Sequence, residues 1–186
     1  MIHTNQSSTN MNMRVNGVLE LSLNNGDRVL ELEHGNCSHL RMLMSHAQGI
    51  EYNGLEISPL LTDEAKRINT KLLSKYSVQF KGYEGYKIPF PDYRFDKTFT
   101  VNSLSLLKNP IRFMDEMFRV LCYGGKSVVV VSQTSALFDE ISSLAKLVGK
   151  TPFKLLHLKT KKELLQDKFG DFVERKYQIA VLGKAR

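Results

Sequence analysis

Two carboxylates and a single glycine mark the first place in this chain where chemistry could be done. The stretch RVLELEHGNCSHL, residues 28–40, runs from apolar β-formers into Glu33-His34-Gly35-Asn36-Cys37 and then into a helical pattern. A strand does this when it feeds a glycine loop for a phosphate or nucleotide. Glu56 follows 23 positions after Glu33, and an acidic side chain about 20 residues past such a loop is placed to accept both hydroxyls of a ribose. A carboxylate at a strand end also serves as a helix-start charge, so that alternative stays open. The same run offers His34, Cys37, His39 and His46 beside Glu33 as metal donors. Structural zinc needs a further well-spaced donor, and the other cysteine, Cys122, follows an unrelated helix; no metal is expected.

The elements that must position these residues follow from periodicity and punctuation. Met13, Val18, Leu19, Leu21 and Leu23 predict a short helix closed by Asn24-Asn25-Gly26. Strands are predicted at about 27–33, 50–57, 78–80, 95–101 and 126–131. Leu40, Leu43, Met44 and Ala47 mark a helix that Gly49 can end. Ser58-Pro59 and Asn109-Pro110 each read as an N-cap followed by a proline at the first helical position, opening helices to about Lys75 and about Leu121. Gly124-Gly125 should turn the chain into the Lys126–Val131 strand, whose continuous apolar run implies cover on both faces. A helix is predicted at 135–148. Thr160-Lys-Lys-Glu163 matches a capping box and predicts a short helix to Lys168. Two final strand pieces at 172–175 and 178–184 are close enough to pair antiparallel.

Strand and helix alternate five times, which predicts an α/β fold: a doubly wound, mostly parallel seven-stranded sheet with an antiparallel last strand. Ligands of such sheets bind at the carboxyl ends of the strands near the switch point, where the opening loop lies. At 186 residues the chain is sized for one domain; residues 1–11 are expected to be a flexible N-terminus and residues 12–186 the domain. The polar start lacks a secretory or transit pattern, no run is long enough to span a membrane, and two cysteines do not make a disulfide framework, so a cytoplasmic protein is expected. The net charge of +7 is uneven: residues 1–93 carry 9 basic against 10 acidic side chains, residues 94–186 carry 17 against 9. Without an aromatic stacking platform the basic half reads first as a solvated surface, and nucleic acid ranks low as a partner.

Four segments, RVLELEHGN (28–36), YNGLEIS (52–58), KIPFPDYRFDKTFTVNSL (87–104) and EMFRVLCYGGKSVVVV (116–131), carry a resemblance. In order and spacing the chain resembles the class I methyltransferases that use S-adenosylmethionine, in particular the methyltransferase type 11 branch similar to quinone-biosynthesis enzymes, over roughly residues 18–182. The resemblance implies a Rossmann-like methyltransferase fold. It implies that Glu31, Glu33 and the loop of Gly35 and Asn36 face the methionine part of the cofactor and that Glu56 binds the ribose hydroxyls. Ile57 would pack on the adenine, Glu84 and Gly85 would flank it, and Asn102 and Ser103 would line the floor beside the sulfonium. Glu84 as a solvated loop charge and Asn102 as a strand-end turn residue remain open readings.

The family's loop has glycine at three alternating positions, where this chain has Glu33, Gly35 and Cys37. Glu33 is the larger departure: it would repel the carboxylate of the cofactor's amino-acid end, or pair with its ammonium or the sulfonium. Two functions follow. One is methyl transfer from S-adenosylmethionine to a small-molecule acceptor; the other is a weakened or inactive methyltransferase-like binding or regulatory protein. Asp92, Tyr83, Tyr86 and His157 are conceivable bases, and no catalytic residue is assigned. The N-terminal lead and the last connection are short, leaving little material for a lid, which favours a small open acceptor site, a protein partner that completes it, or no substrate at all; an edge strand or an exposed helix face could also mediate a homodimer.

Overall fold

The computed structural model describes residues 10–104, 107–133, 144–166 and 169–185. Residues 1–9 of the expected flexible N-terminus and residues 135–143 of an expected helix lie outside them. Helix α1 (Met11–Leu21) leads into β1 (Arg28–Leu32), α2 (Leu40–Met44), β2 (Glu51–Glu56), α3 (Pro59–Ile68), α4 (Thr70–Leu73) and β3 (Val78–Gly82). Then come β4 (Phe95–Val101), α5 (Pro110–Val120), β5 (Leu121–Ser132), α6 (Leu144–Val148), β6 (Lys154–Gln166) and β7 (Phe172–Gly183). One seven-stranded sheet runs in the order β3-β2-β1-β4-β5-β7-β6. The first five strands are parallel, and β7 is antiparallel to both β5 and β6. The order reverses between β1 and β4, so the carboxyl end of β1 opens at the switch point.

Alternation divides the sheet into two cores. Leu30, Leu32, Leu55, Val129 and Val131 face one way, against Met114, Met117, Leu144 and Leu147 of α5 and α6. Val29, Tyr52, Phe80, Phe99 and Val130 face the other way, against α1, α2 and Ala65 of α3. Both expected caps form: the Ser58 hydroxyl accepts from Leu61 N–H and the Asn109 side chain from Arg112 N–H.

Three expectations are corrected. Residues 160–166 are strand: the Thr160–Glu163 segment lies inside β6, where pairing with Gln178–Arg175 of β7 outweighs the capping-box pattern. The two last strand pieces are one continuous strand, β7. Gly124, with φ of +75°, does not begin β5 but sits in a bulge within it, where pairing with β4 jumps from Phe95↔Leu121 to Lys97↔Lys126.

Helix α1 lies close on the sheet because Gly17 has no side chain. A Cβ there would stand 2.4 Å from Cε2 of Phe99 and 2.9 Å from Cγ2 of Val130, both in the packed core. Gly17→Ala should therefore destabilise the protein by about 1–3 kcal/mol by overpacking, despite alanine's better helix propensity, as measured by chemical denaturation.

Candidate functional site

At the carboxyl end of β1 the backbone takes the left-handed conformation at three alternating residues: φ is +57° at Glu33, +62° at Gly35 and +50° at Cys37. Only the middle one is glycine. For residues with a Cβ this conformation carries strain of about 1–2 kcal/mol each, so the loop keeps a glycine-loop shape without two of its glycines. The Glu33 N–H donates to the Leu55 carbonyl at 2.8 Å and Cys37 N–H to the His34 carbonyl at 3.1 Å, which ties the loop to β2 and closes its turn.

Beneath the loop lies a buried polar network. Glu31 is fully enclosed; one oxygen accepts from Tyr52 Oη at 2.6 Å and from His39 Nε2 at 2.8 Å. The Arg14 guanidinium of α1 stands 3.9 Å from its other oxygen. Burial alone would raise the Glu31 pKa, but His39, Arg14 and the Tyr52 hydroxyl together hold it below the ordinary range. Cys37 Sγ lies 3.1 Å from Tyr52 Oη, and burial pushes its thiol well up, so it is not a thiolate nucleophile. The donor atoms of Glu31, Cys37 and His39 all lie within 4.8 Å of one another. Glu31 bonds His39 and Tyr52, Cys37 meets Tyr52, and Glu31 Oε1 and His39 Nδ1 have no hydrogen-bond partner among the described residues; the Arg14 guanidinium is the positive charge beside them.

His34 fills the space beside Gly54, where a Cβ would meet its ring at 2.7 Å. Its Nδ1 pairs with the Gly35 carbonyl at 2.7 Å, and burial lowers its pKa, keeping it neutral.

Above the network, Glu56 of β2 is gripped by the chain itself. Its Oε2 accepts from Gly35 N–H at 2.9 Å and its Oε1 from Ser58 N–H at 3.0 Å. Glu33 turns across β2 toward it and accepts from Tyr83 Oη at 2.6 Å. Burial first, then the charge of Glu56 and a hydrogen bond between the two carboxyls, raise the Glu33 pKa from near 4.5 to about 8. The raised value favours a proton on Glu33 over a second negative charge beside Glu56. The Tyr83 hydroxyl is also raised by burial and by Glu33.

The expected site residues fall into separate groups. Glu33, Gly35, Glu56, Ile57 and Gly85 gather at the β1–β2–β3 end. Ile57 is exposed and lies on Gly85, whose φ is +80° and where a Cβ would stand 2.6 Å from Ile57 Cδ1. Glu84 is exposed and accepts from the Tyr86 hydroxyl. The Asn36 amide reaches Glu64 of α3 at 3.3 Å. Asn102, with φ of +57°, sits at the end of β4, donating to Asn10 at 3.0 Å and accepting from Ser132 N–H at 2.7 Å. Ser103 is buried, with its hydroxyl 2.6 Å from Thr100 Oγ1. Glu31 lies below the loop rather than on its surface.

Sequence reasoning missed Arg14 and Tyr52, and it took His39 as a candidate metal donor and Tyr83 as a candidate base where the structure places them as partners of Glu31 and Glu33. Arg14 had a signal: a cation on the buried stripe Met13, Gly17, Val18, Leu21 demands a buried acid.

A family profile described as a methyltransferase domain matches residues 30–129. The chain belongs to the methyltransferase-domain family. No curated protein matches the sequence. Solved structures share the fold at low identity. A chain from the Haloferax volcanii complex between the Trm112 methyltransferase activator and a methyltransferase is 15% identical, with a TM-score of 0.77, covering 98% of this chain and 95% of that one. The cyclase SpnF is 17% identical, with a TM-score of 0.72 and coverage of 93% and 81%. The Haemonchus contortus phosphoethanolamine N-methyltransferase 2, in complex with phosphomonomethylethanolamine and S-adenosylhomocysteine, is 15% identical, with a TM-score of 0.69 and coverage of 94% and 53%. Among the described residues no helix is long and apolar enough to cross a membrane.

Because the folded-state pKa of Glu33 lies above that of a free glutamate, its shared proton stabilises the fold fully in acid. That contribution is lost as pH rises through about 8. In Glu33→Gln, a permanent stand-in for the protonated form, stability between pH 5 and 9 should lose this decline, on the order of a few kcal/mol, as measured by denaturant titrations across that range.

Proposed function

We propose that this methyltransferase-domain protein transfers a methyl group from S-adenosylmethionine to a small-molecule acceptor. The observation that carries the reading is Glu56: a carboxylate at the β2 end, beside a loop of glycine-like shape, held by one backbone donor on each oxygen. Each carboxylate oxygen can accept two hydrogen bonds. Glu56 therefore keeps one acceptor position per oxygen, the number the two donating hydroxyls of a ribose need once Glu33 gives up its contact.

The cofactor supplies a methyl group already activated on a sulfonium sulfur. In this reading Glu56 would hold the ribose, Ile57 and Gly85 would bracket the adenine, and the Gly35 loop would border the amino-acid end. Glu33 leans toward Tyr83 and Glu56 rather than into the middle of the loop, so its effect falls on the ribose acceptor. In the free protein its hydroxyl takes one of the positions on Glu56 that the ribose would use. The site is self-competed and its affinity lowered, which supports weakened binding more than an absent site.

The chain's own contribution to the reaction is orientation and the exclusion of water. Of the candidate bases, Asp92 is paired with Arg119 at 2.7 Å just before β4, at the amino edge of the sheet, and Tyr86 is bonded to Glu84. His157 lies on β6, 3.9 Å from Glu20. Tyr83 is engaged by Glu33, and no base is assigned. The fold alone does not decide the reaction, since the similar SpnF structure is named a cyclase. The Haloferax neighbour is seen with an activator protein, which supports keeping a completing partner among the ways the acceptor side could be finished.

Titration calorimetry with S-adenosylmethionine and S-adenosylhomocysteine tests this. The native chain should bind both, with affinity rising by up to about tenfold per pH unit toward pH 8 as the Glu33 proton is lost. Glu33→Gly should bind at least tenfold more tightly, without that pH dependence. No binding by either protein would sink the cofactor reading. Equal affinity in both would sink the competition by Glu33.

A further inference from the structure

Each group that would hold an adenosine meets a neighbour from the chain itself. Glu56 is bonded by the Gly35 and Ser58 N–H groups and bordered by Glu33. Glu84 accepts from the Tyr86 hydroxyl. Ile57, next to Glu56, lies on Gly85, next to Glu84: a Cβ built on Gly85 would stand 2.6 Å from Ile57 Cδ1 and 3.2 Å from its Cγ1. A flat ring needs about 7 Å between the carbons that flank it, two ordinary contacts of about 3.5 Å. With its methyl where a side chain at 85 would begin, Ile57 stands one contact from Gly85, not two.

The frame makes this contact. Strands β2 and β3 pair in register as far as Glu56↔Gly82, and the Tyr83 N–H goes on to the Glu56 carbonyl at 3.2 Å, so the residues that leave the two strands stay neighbours. Gly85 has a φ of +80°, which favours glycine, and its missing Cβ leaves the seat that Ile57 fills. Glu33 adds a hold from the other side, because its carboxyl accepts from the Ile57 N–H. The same side chain that borders the ribose acceptor thus fixes the backbone of the residue lying on Gly85. The Ile57 side chain is not locked. It is 45% exposed and belongs to neither packed core, so a change of side-chain rotamer is enough to lift it away.

We propose that Ile57 is an internal plug for the adenine slot: in the free protein its Cδ1 closes the gap to Gly85, and a purine nucleoside enters only when the side chain turns out. This rests on the adenosine reading of the site. It makes apparent affinity the intrinsic affinity reduced by the fraction of molecules in which the slot is open.

Ile57→Val removes Cδ1 and keeps the branched wall at Cβ. Titration calorimetry with S-adenosylhomocysteine, at one pH, should show the valine protein binding about threefold or more tightly than the native chain, with native circular dichroism. If Ile57 were a fixed wall of the slot, the same change would weaken binding about fourfold, the effect of one buried methylene lost from the ligand contact. Weaker or equal binding by Ile57→Val would overturn the plug and leave the cofactor reading standing. No binding by either protein would remove the cofactor reading and the plug with it. A second readout does not depend on affinity. In the nuclear magnetic resonance spectrum of the isotope-labelled native chain, the Ile57 δ1 methyl should show a nuclear Overhauser contact with the Gly85 α-protons, lost at saturation with S-adenosylhomocysteine. A contact absent from the free protein, or one that persists at saturation, would also overturn the proposal.

Discussion

The Glu31 carboxylate sits where no water can reach it, and the architecture around the site follows from that. A buried charge is tolerated only when it is paired and hydrogen-bonded. Three elements answer: β2 sends Tyr52, the start of α2 sends His39, and α1 sends Arg14. Each partner fixes the element that carries it. Removing one would leave the others around an uncompensated buried charge, so the network behaves as a unit. It also sets the floor under the loop, because a Cβ on Gly35 would stand 3.1 Å from the Arg14 guanidinium.

This floor explains how the loop keeps its shape after losing two glycines. Left-handed backbone at Glu33 and Cys37 is unfavourable locally and persists only where the surroundings over-determine it. Here the Leu55 carbonyl holds the Glu33 amide, and buried Cys37 is packed in the core beside Tyr52. The strain has a directional consequence. With the backbone so held, the Glu33 side chain leaves across β2 toward Tyr83 and Glu56 instead of standing over the loop centre. The sequence pattern left open a clash with an amino-acid carboxylate or a pairing with its ammonium; the geometry instead takes Glu33 to the Tyr83 hydroxyl, beside Glu56.

What could be read in advance depended on how local the signal was. Ser58-Pro59 and Asn109-Pro110 are complete within four residues, and both caps form as expected. The five parallel strands announced themselves through short apolar runs between turn residues. The Thr160–Glu163 segment carried an equally tidy local signal that failed, because its fate is set by pairing with β7 and by the reach of Lys159 and Lys161 to Glu20 and Asn16 on α1, the last two more than a hundred residues away in sequence. The site divides the same way. The spacing of Gly35 and Glu56 was legible because strand, helix and strand fix it. The Tyr83–Glu33 bond joins residues fifty apart through a loop whose path no periodicity encodes.

The motif's decay and the fold's persistence therefore belong to different levels. Glycine is needed in such a loop to allow a conformation, and a sufficiently rigid frame can impose that conformation on other residues at the expense of stability. What the frame cannot restore is the bare space a glycine leaves. A side chain at position 33 has to go somewhere, and here it reaches the Tyr83 hydroxyl and borders Glu56. Under the proposed function, the departures from glycine would leave Glu56 in place and set Glu33 beside it as a competitor.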